Sequence, residues 1–335
     1  MTHSTDLDQG KSPNLGQGKS PNLDQGRSPN LKNCLCSFDY LTDDYGFFFV
    51  NKKEIIRKKT PLQFIQLFEN EHYGKVLLLD GATQLVEKIE HQYHEPLAHI
   101  GLLSFKDKVD RVLILGGGDG GLDREVLKHP VNTIDHVELD EEVLLFCKEH
   151  LPAISGGAFS NPNVHLFFED GKTYVEKCQK TYDIIVMDMI DPVGPARSLY
   201  ILDFFSAVKK CLTKDGVFVL HGESPFLQER FFLNLRKTLL HIFKHVTVFI
   251  SYVQMYGGVW CFLCCSDTAD PTGMSEEVVD KMLKERKITD LKSIDGKTFV
   301  SMQTLPYEIR QKLDRGKIIH KVEDLEYFRK PFAAE

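Results

Sequence analysis

No apolar run in this chain of 335 residues approaches the ~20 consecutive residues that a membrane-spanning helix requires. Stretches such as Val112–Leu115, Ile184–Met187 and Val259–Cys265 have the length of strands, so no membrane association is expected. Residues 1–10 lack the apolar segment of a secretory signal, which makes the cytoplasm the expected location. A basic excess is also missing. With 41 Lys and Arg against 48 Asp and Glu the net charge is −7, so no nucleic-acid partner is expected, and the balance leans towards cationic ligands. Eight cysteines are too few for a disulfide scaffold in a chain of this length. Cys147, Cys178 and Cys211 stand alone in helix-like or strand-like patterns, as reduced thiols do. Cys34 with Cys36, and Cys261 with Cys264 and Cys265, have no partner pair or nearby His at finger-like spacing, so no metal is expected. The one tryptophan, Trp260, reads as a strand aromatic in the core, with a cap over a ligand channel as the alternative.

What the chain does have begins with a repeat. Residues 7–30 are three copies of an octapeptide, LDQGKSPN, LGQGKSPN and LDQGRSPN. Each copy carries Gly, Pro and a single Leu, too little apolar surface to offset chain entropy. Residues 1–36 therefore read as a disordered tail, with a docking motif as the lesser alternative. From 37 to 96, short runs with β character (Phe47–Val50, Leu62–Leu67, Tyr73–Leu79 and Ala82–Val86) suggest a small antiparallel β domain. Asp80-Gly81 between the last two is a hairpin-turn pair. From 97 to 335 strands alternate with helical segments: Val112–Leu115, Ile134–Leu139, Val164–Phe168, Tyr182–Met187 and Gly216–His221. That alternation is the signature of an α/β domain built on a parallel sheet.

The strand Val112–Leu115 runs directly into GGGDGG (Gly116–Gly121), a glycine turn that opens a helix. Glu138 closes the next strand 22 residues after Gly116, where a carboxylate can accept hydrogen bonds from both ribose hydroxyls. Asp170-Gly171 follows the third strand, and Asp188 with Asp191 follows the fourth. Each acid alone reads as a solvated turn residue. Four in series at the carboxyl edge of one sheet repel one another unless a cation sits among them. With Glu138 on a ribose, an adenosyl sulfonium is the natural cation. Asp119 then discriminates between two such ligands: it would repel the carboxylate of adenosylmethionine and attract the aminopropyl ammonium of its decarboxylated form. The same Asp stands where a dinucleotide pyrophosphate would approach, which disfavours an oxidoreductase.

GGGDGG followed by Arg124-Glu125-Val126, Glu138 with Asp140, Asp170-Gly171, YDIIVMDMIDPVGPA (Tyr182–Ala196), YGKVLLLDGATQ (Tyr73–Gln84) and YHE (Tyr93–Glu95) resemble the spermidine synthases, the polyamine aminopropyltransferases. The resemblance runs from about Tyr45 to Leu313. It implies a Rossmann-like, methyltransferase-type parallel sheet domain behind a small N-terminal antiparallel β domain, assembled as a homodimer or homotetramer. It implies no prosthetic group and decarboxylated S-adenosylmethionine as co-substrate. Gln63, Glu138, Asp170, Gly171 and Pro195 would line the nucleoside site; His94 and Asp119 would hold the aminopropyl end. Tyr93, Asp188, Asp191, His221 and Tyr256 would surround the acceptor amine, with Asp188 the catalytic base.

The chain also departs from the family pattern. His221 replaces a usual Gln, Arg197 a usual Glu, Ile89 the Asp of an Asp-Glu pair, and Asp123 an apolar residue. A neutral His221 could replace the Gln hydrogen bonds, and Arg197 is expected to face outwards, away from a cationic acceptor. Putrescine is the first expected acceptor, with cadaverine, agmatine and spermidine as alternatives. An N-methyltransferase using intact adenosylmethionine, and a non-catalytic polyamine-binding homologue, are the rival functions.

Overall fold

Aromatic and β-branched residues recur through the chain from Leu35 to Val86, and in the computed structural model this stretch forms six strands. The structure describes residues 34–42 and 44–327; the octapeptide repeats lie outside the described residues. β1 (Leu35–Tyr40) and β2 (Gly46–Asn51) make an antiparallel hairpin. β3 (Lys53–Lys59), β4 (Phe64–Asn70), β5 (Gly74–Leu79) and β6 (Ala82–Val86) form a four-stranded meander. Asp80 and Gly81 both have positive φ, 49° and 81°, as the tight turn between β5 and β6 requires. The tail boundary expected at residue 36 is too late, because Leu35 already pairs with Asn51. Ser37 and Asp39 point inwards and Phe38 and Tyr40 outwards, an inverted alternation that conceals the strand from hydropathy.

Beyond β6 the layers change. α1 (His91–Ser104), β7 (Arg111–Gly116), α2 (Gly121–Val126), β8 (Thr133–Glu138), α3 (Glu141–His150), α4 (Pro152–Ser155), β9 (Val164–Phe168), α5 (Gly171–Lys177) and β10 (Tyr182–Asp188) follow in order. α6 (Leu202–Lys210), β11 (Leu212–His221), α7 (Glu229–Ile242), β12 (His245–Val253), β13 (Gly258–Ser266), α8 (Glu276–Glu285), α9 (Gly296–Ser301) and α10 (Tyr307–Arg310) come next. The large sheet has seven strands in the order β12-β13-β11-β10-β7-β8-β9. Its five central and edge strands from β11 to β9 are parallel as expected, but β13 runs antiparallel to β11 and to β12. The sheet is therefore mixed. The short connection at Gly257 lets β12 and β13 form a hairpin on its edge.

The domain boundary expected at 96 falls inside α1. This helix belongs to the large sheet, because Leu97, Ala98 and Ile100 share a core with Val112, Ile184 and Val219. The small meander is joined to the same body by apolar packing of Ile65, Leu67 and Leu77 against Val143 and Phe146 of α3. Chain order reverses between β7 and β10: β8 and β9 lie on one side, β11 on the other. Their carboxyl ends flank the switch point, where open α/β sheets bind ligands.

Candidate active site

A cavity of about 480 Å³ opens at that switch point. Its floor is the paired ends of β7 and β10, where Gly116 and Asp188 lie opposite each other in register. Gly116 has φ +79°, and a Cβ there would collide with the Asp188 backbone carbonyl, so the strands can approach only with glycine at this position. Asp119, Glu138, Asp170 and Gly171 line one side, with Gln63 reaching in from the meander. Asp188, Asp191, Pro195, Tyr93, His221 and Tyr256 line the other. Of the expected site residues only His94 is outside the lining.

His94 is 1% exposed and sits behind Asp119. Its Nδ1 is 2.6 Å from Glu90 Oε2 and its Nε2 is 3.4 Å from Asp119 Oδ2. Both ring nitrogens face carboxylates, so both carry protons. Burial favours the neutral ring, but Asp119 and Glu90 together hold its pKa well above the usual value. Burial likewise works against ionised Glu90, yet His94 and Arg124, whose Nη2 is 2.9 Å away, hold that carboxyl at about 2. His94 is thus a fixed cation that supports Asp119, instead of a direct wall of the cavity. Gly121 makes room for it: a Cβ there would lie 2.5 Å from the imidazole.

Tyr93 donates a 2.6 Å hydrogen bond to Asp188 Oδ1. Burial, then the negative charge of Asp119, raise the Asp188 pKa above the ordinary carboxyl value, while His94, Tyr93 and His221 pull the other way. The result is a carboxylate more basic than a solvated Asp. Tyr93 packs edge-on against Tyr256 at 5.1 Å, and Tyr256 lies 4.9 Å from Trp260, centroid to centroid. Trp260 is 6% exposed and still contributes to the lining, so it is both a core residue and part of the channel wall.

His221 differs from the neutral hydrogen-bonding role expected of it. Its Nε2 donates to the Met189 carbonyl at 2.8 Å and its Nδ1 faces Glu223 Oε1 at 3.3 Å. Burial opposes protonation, but Glu223 outweighs it and the pKa is pushed up to about 9. The ring is an imidazolium that grips the loop after β10. Arg197 is absent from the cavity lining, but it is half-buried instead of surface-facing and donates to the Val322 carbonyl at 2.7 Å. Asp123 faces the His136 ring at 2.9 Å, both fully buried; burial opposes protonation of the ring, but the Asp123 carboxylate raises its pKa.

At the opposite end, Glu138 accepts the Asp140 amide at 2.8 Å, which aims its other oxygen past Gly118; burial raises its pKa. Asp140 caps α3 and accepts from Gln63 Nε2 at 3.0 Å, tying the meander to the site. Asp170 caps α5 through the Thr173 amide at 2.8 Å, leaving Gly171 at the cavity edge. Sequence reasoning missed Asp39, whose carboxylate accepts the Thr83 amide at 2.8 Å in the lining. Nothing in its local sequence separates it from any strand acid. Arg124 stood in a quoted motif and Glu90 beside the departing Ile89, but their coupling to His94 is visible only in three dimensions. Among the described residues no group of three or more His, Cys, Asp or Glu could hold a metal, and no helix is long and apolar enough to cross a membrane.

Residues 90–277 match the spermine/spermidine synthase domain, and residues 48–87 match the spermidine synthase tetramerisation domain. The chain belongs to the spermine/spermidine synthase family. It is 40% identical to polyamine aminopropyltransferase 2 of Hyperthermus butylicus over 261 residues, 77% of this chain and 85% of that one. It is 36% identical to the polyamine aminopropyltransferase of Sulfurisphaera tokodaii, over 78% of this chain and 88% of that one. A solved spermidine synthase in complex with the transition-state analogue AdoDATO superposes with a TM-score of 0.78 at 31% identity, covering 83% of this chain and 94% of that one. The spermidine synthase of Thermotoga maritima gives 0.77 at 31% identity, over 84% and 94%. The family membership makes the chain an enzyme, a transferase of the polyamine aminopropyltransferase type.

Proposed function

We propose that this enzyme transfers the aminopropyl group of decarboxylated S-adenosylmethionine to putrescine, giving spermidine and methylthioadenosine. One observation carries the choice of co-substrate: among the described residues the cavity lining holds Asp119, Glu138, Asp170, Asp188 and Asp191 but no Lys or Arg. The carboxylate of intact adenosylmethionine would enter beside Asp119, where the His94 imidazolium is already shared between Asp119 and Glu90, at a cost of several kcal/mol. The decarboxylated sulfonium brings two positive charges to the same acids. The likeness to a spermidine synthase bound to AdoDATO supports this reading.

In this assignment Glu138 takes the ribose hydroxyls, and Gln63, Asp170, Gly171 and Pro195 surround the rest of the nucleoside. Asp119, backed by His94, takes the aminopropyl ammonium. Asp191 anchors the distal ammonium of the acceptor between Tyr93 and Tyr256, while Asp188 receives the proton of the attacking nitrogen. A solvated Asp near 3.9 and an amine near 10 differ by ~6 units, about 8 kcal/mol. Burial of Asp188 and its repulsion by Asp119 narrow that gap from one side, and the nearby sulfonium narrows it from the other. The freed lone pair attacks the carbon beside sulfur, the C–S bond breaks towards sulfur, and neutral methylthioadenosine leaves.

The subunits assemble as a homodimer or homotetramer in this proposal. The match to a tetramerisation domain supports it, as does the outward face of the β1–β2 hairpin, where Phe38, Tyr40, Phe48 and Val50 are exposed. Mass spectrometry after incubation with putrescine and each co-substrate tests the function. A gain of one aminopropyl group from the decarboxylated form is expected; a gain of one methyl from adenosylmethionine would refute it.

A further inference from the structure

Residues 320–327 follow the stretch that carries the family resemblance, and they pack against the back of the acceptor side of the cleft. Leu325 is buried in the core beneath β10 and β11, and Tyr327 packs edge-on against Phe231 at 5.3 Å. Two routes lead from this segment to the loop after β10, which bears Asp188 and Asp191. In the first, the Tyr327 hydroxyl is 3.3 Å from Glu223 Oε2; Glu223 faces His221, and His221 holds the Met189 carbonyl. Glu223 keeps φ at +65°, a conformation unfavourable for a residue with a Cβ, so surrounding packing must hold it there. In the second, Arg197 Nη2 donates to the Val322 carbonyl at 2.7 Å and reaches that of Leu325 at 3.5 Å. Arg197 lies in the turn Gly194–Leu199, whose Pro195, Ala196 and Ser198 line the cavity. The adjoining Tyr200 donates to the Ile190 carbonyl at 2.9 Å and packs on Phe231.

We propose that residues 322–327 form a strap that fixes the acceptor-binding loop, residues 189–199, and that Arg197 and Tyr327 are its positioning residues. Neither side chain lines the cavity or touches substrate in the assignment above. Their effect reaches the acceptor through the Met189 and Ile190 carbonyls and the turn that closes the pocket. The acceptor half of the site therefore depends on the strap, whereas the nucleoside half, built on β8, β9 and the meander, meets the strapped loop only at Pro195. The Arg197 guanidinium is what lets one side chain fasten two carbonyls, those of Val322 and Leu325.

The inference rests on the proposed reaction for its kinetic readout, so a second readout is independent of turnover. Full-length Arg197→Ala, Arg197→Lys and Tyr327→Phe are compared with wild type by steady-state kinetics in both substrates and by amide hydrogen exchange across residues 189–200. Loss of a hydrogen bond to a charged or fixed partner predicts about a tenfold rise in acceptor KM. The KM for decarboxylated adenosylmethionine, whose site meets the loop only at Pro195, should rise less, by no more than about twofold, and Arg197→Lys should restore part of the loss. Exchange across 189–200 should accelerate, with the amides of β8 and β9 unchanged. An acceptor KM and loop exchange equal to wild type in both Arg197→Ala and Tyr327→Phe would overturn the strap, as would a loss spread equally over both substrates. If the wild type turns over no amine, the proposed reaction fails, and the exchange comparison alone decides the strap.

Discussion

Replacing His221 with Gln isolates one buried charge and gives a pH dependence whose sign can be worked out beforehand. In the folded protein the imidazole is 4% exposed, with Nε2 on the Met189 carbonyl and Nδ1 facing Glu223, and its pKa is about 9 against an ordinary 6.5. A pKa raised on folding means the native state binds the proton more tightly. The stabilisation is complete below pH 6.5 and is lost as pH rises through 9. That shift corresponds to roughly 3 kcal/mol, at 1.36 kcal/mol per unit. The amide side chain introduced by His221→Gln can still donate to the Met189 carbonyl but has no proton to lose. Urea unfolding of both proteins at intervals between pH 6 and 10 is the assay, with the slope m checked for constancy. Wild type should lose about 3 kcal/mol more than His221→Gln across pH 6.5–9. His94, also raised above its ordinary value, is common to both proteins and cancels in the difference. Parallel stability profiles would show that His221 is neutral and the geometric argument for its charge is wrong.

Three further outcomes are expected. Asp188→Asn should lower kcat by about 10²–10⁴-fold, the usual worth of a general base, while calorimetric binding of methylthioadenosine changes little; a near-normal rate removes Asp188 as the proton acceptor. Asp123→Ala leaves the fully buried His136 without the carboxylate it faces and should cost about 3 kcal/mol in urea unfolding if the two are ion-paired, whereas Asp123→Leu with His136→Leu should recover most of it. Equal losses in the single and double variants would show that packing, not charge pairing, dominates there. Gly121→Ala drives a methyl group to 2.5 Å from the His94 ring, so the melting temperature should fall and the KM for decarboxylated adenosylmethionine should rise more than that for the acceptor; wild-type values in both would mean the loop relaxes freely.

The central strands and the acidic edge were legible because a buried parallel strand reads as a continuous apolar run, and the turn after it must be polar. Val164–Phe168 coincides with β9, and the other four parallel strands differ at their ends by a few residues. Glu138 and Asp188 could be placed on one edge because each closes such a run. The antiparallel edge was not legible, since β13 (GVWCFLCCS) is as uniformly apolar as a parallel strand and carries no sign of direction. β1 was lost for the opposite reason: its outward positions hold Phe38 and Tyr40, and its inward ones Ser37 and Asp39. The boundary at 96 was misplaced because Pro96 reads as a break, although it sits within α1. His94 was placed in the cavity by motif alone, but its partners Glu90 and Arg124, 34 residues apart, set it behind Asp119.

Aminopropyl transfer is tested by supplying purified enzyme with decarboxylated S-adenosylmethionine and, in turn, putrescine, cadaverine, agmatine and spermidine, following methylthioadenosine release. Release is expected, with putrescine the best acceptor by kcat/KM and one spermidine formed per methylthioadenosine. No release with any of the four amines would contradict it and leave a polyamine-binding protein in its place.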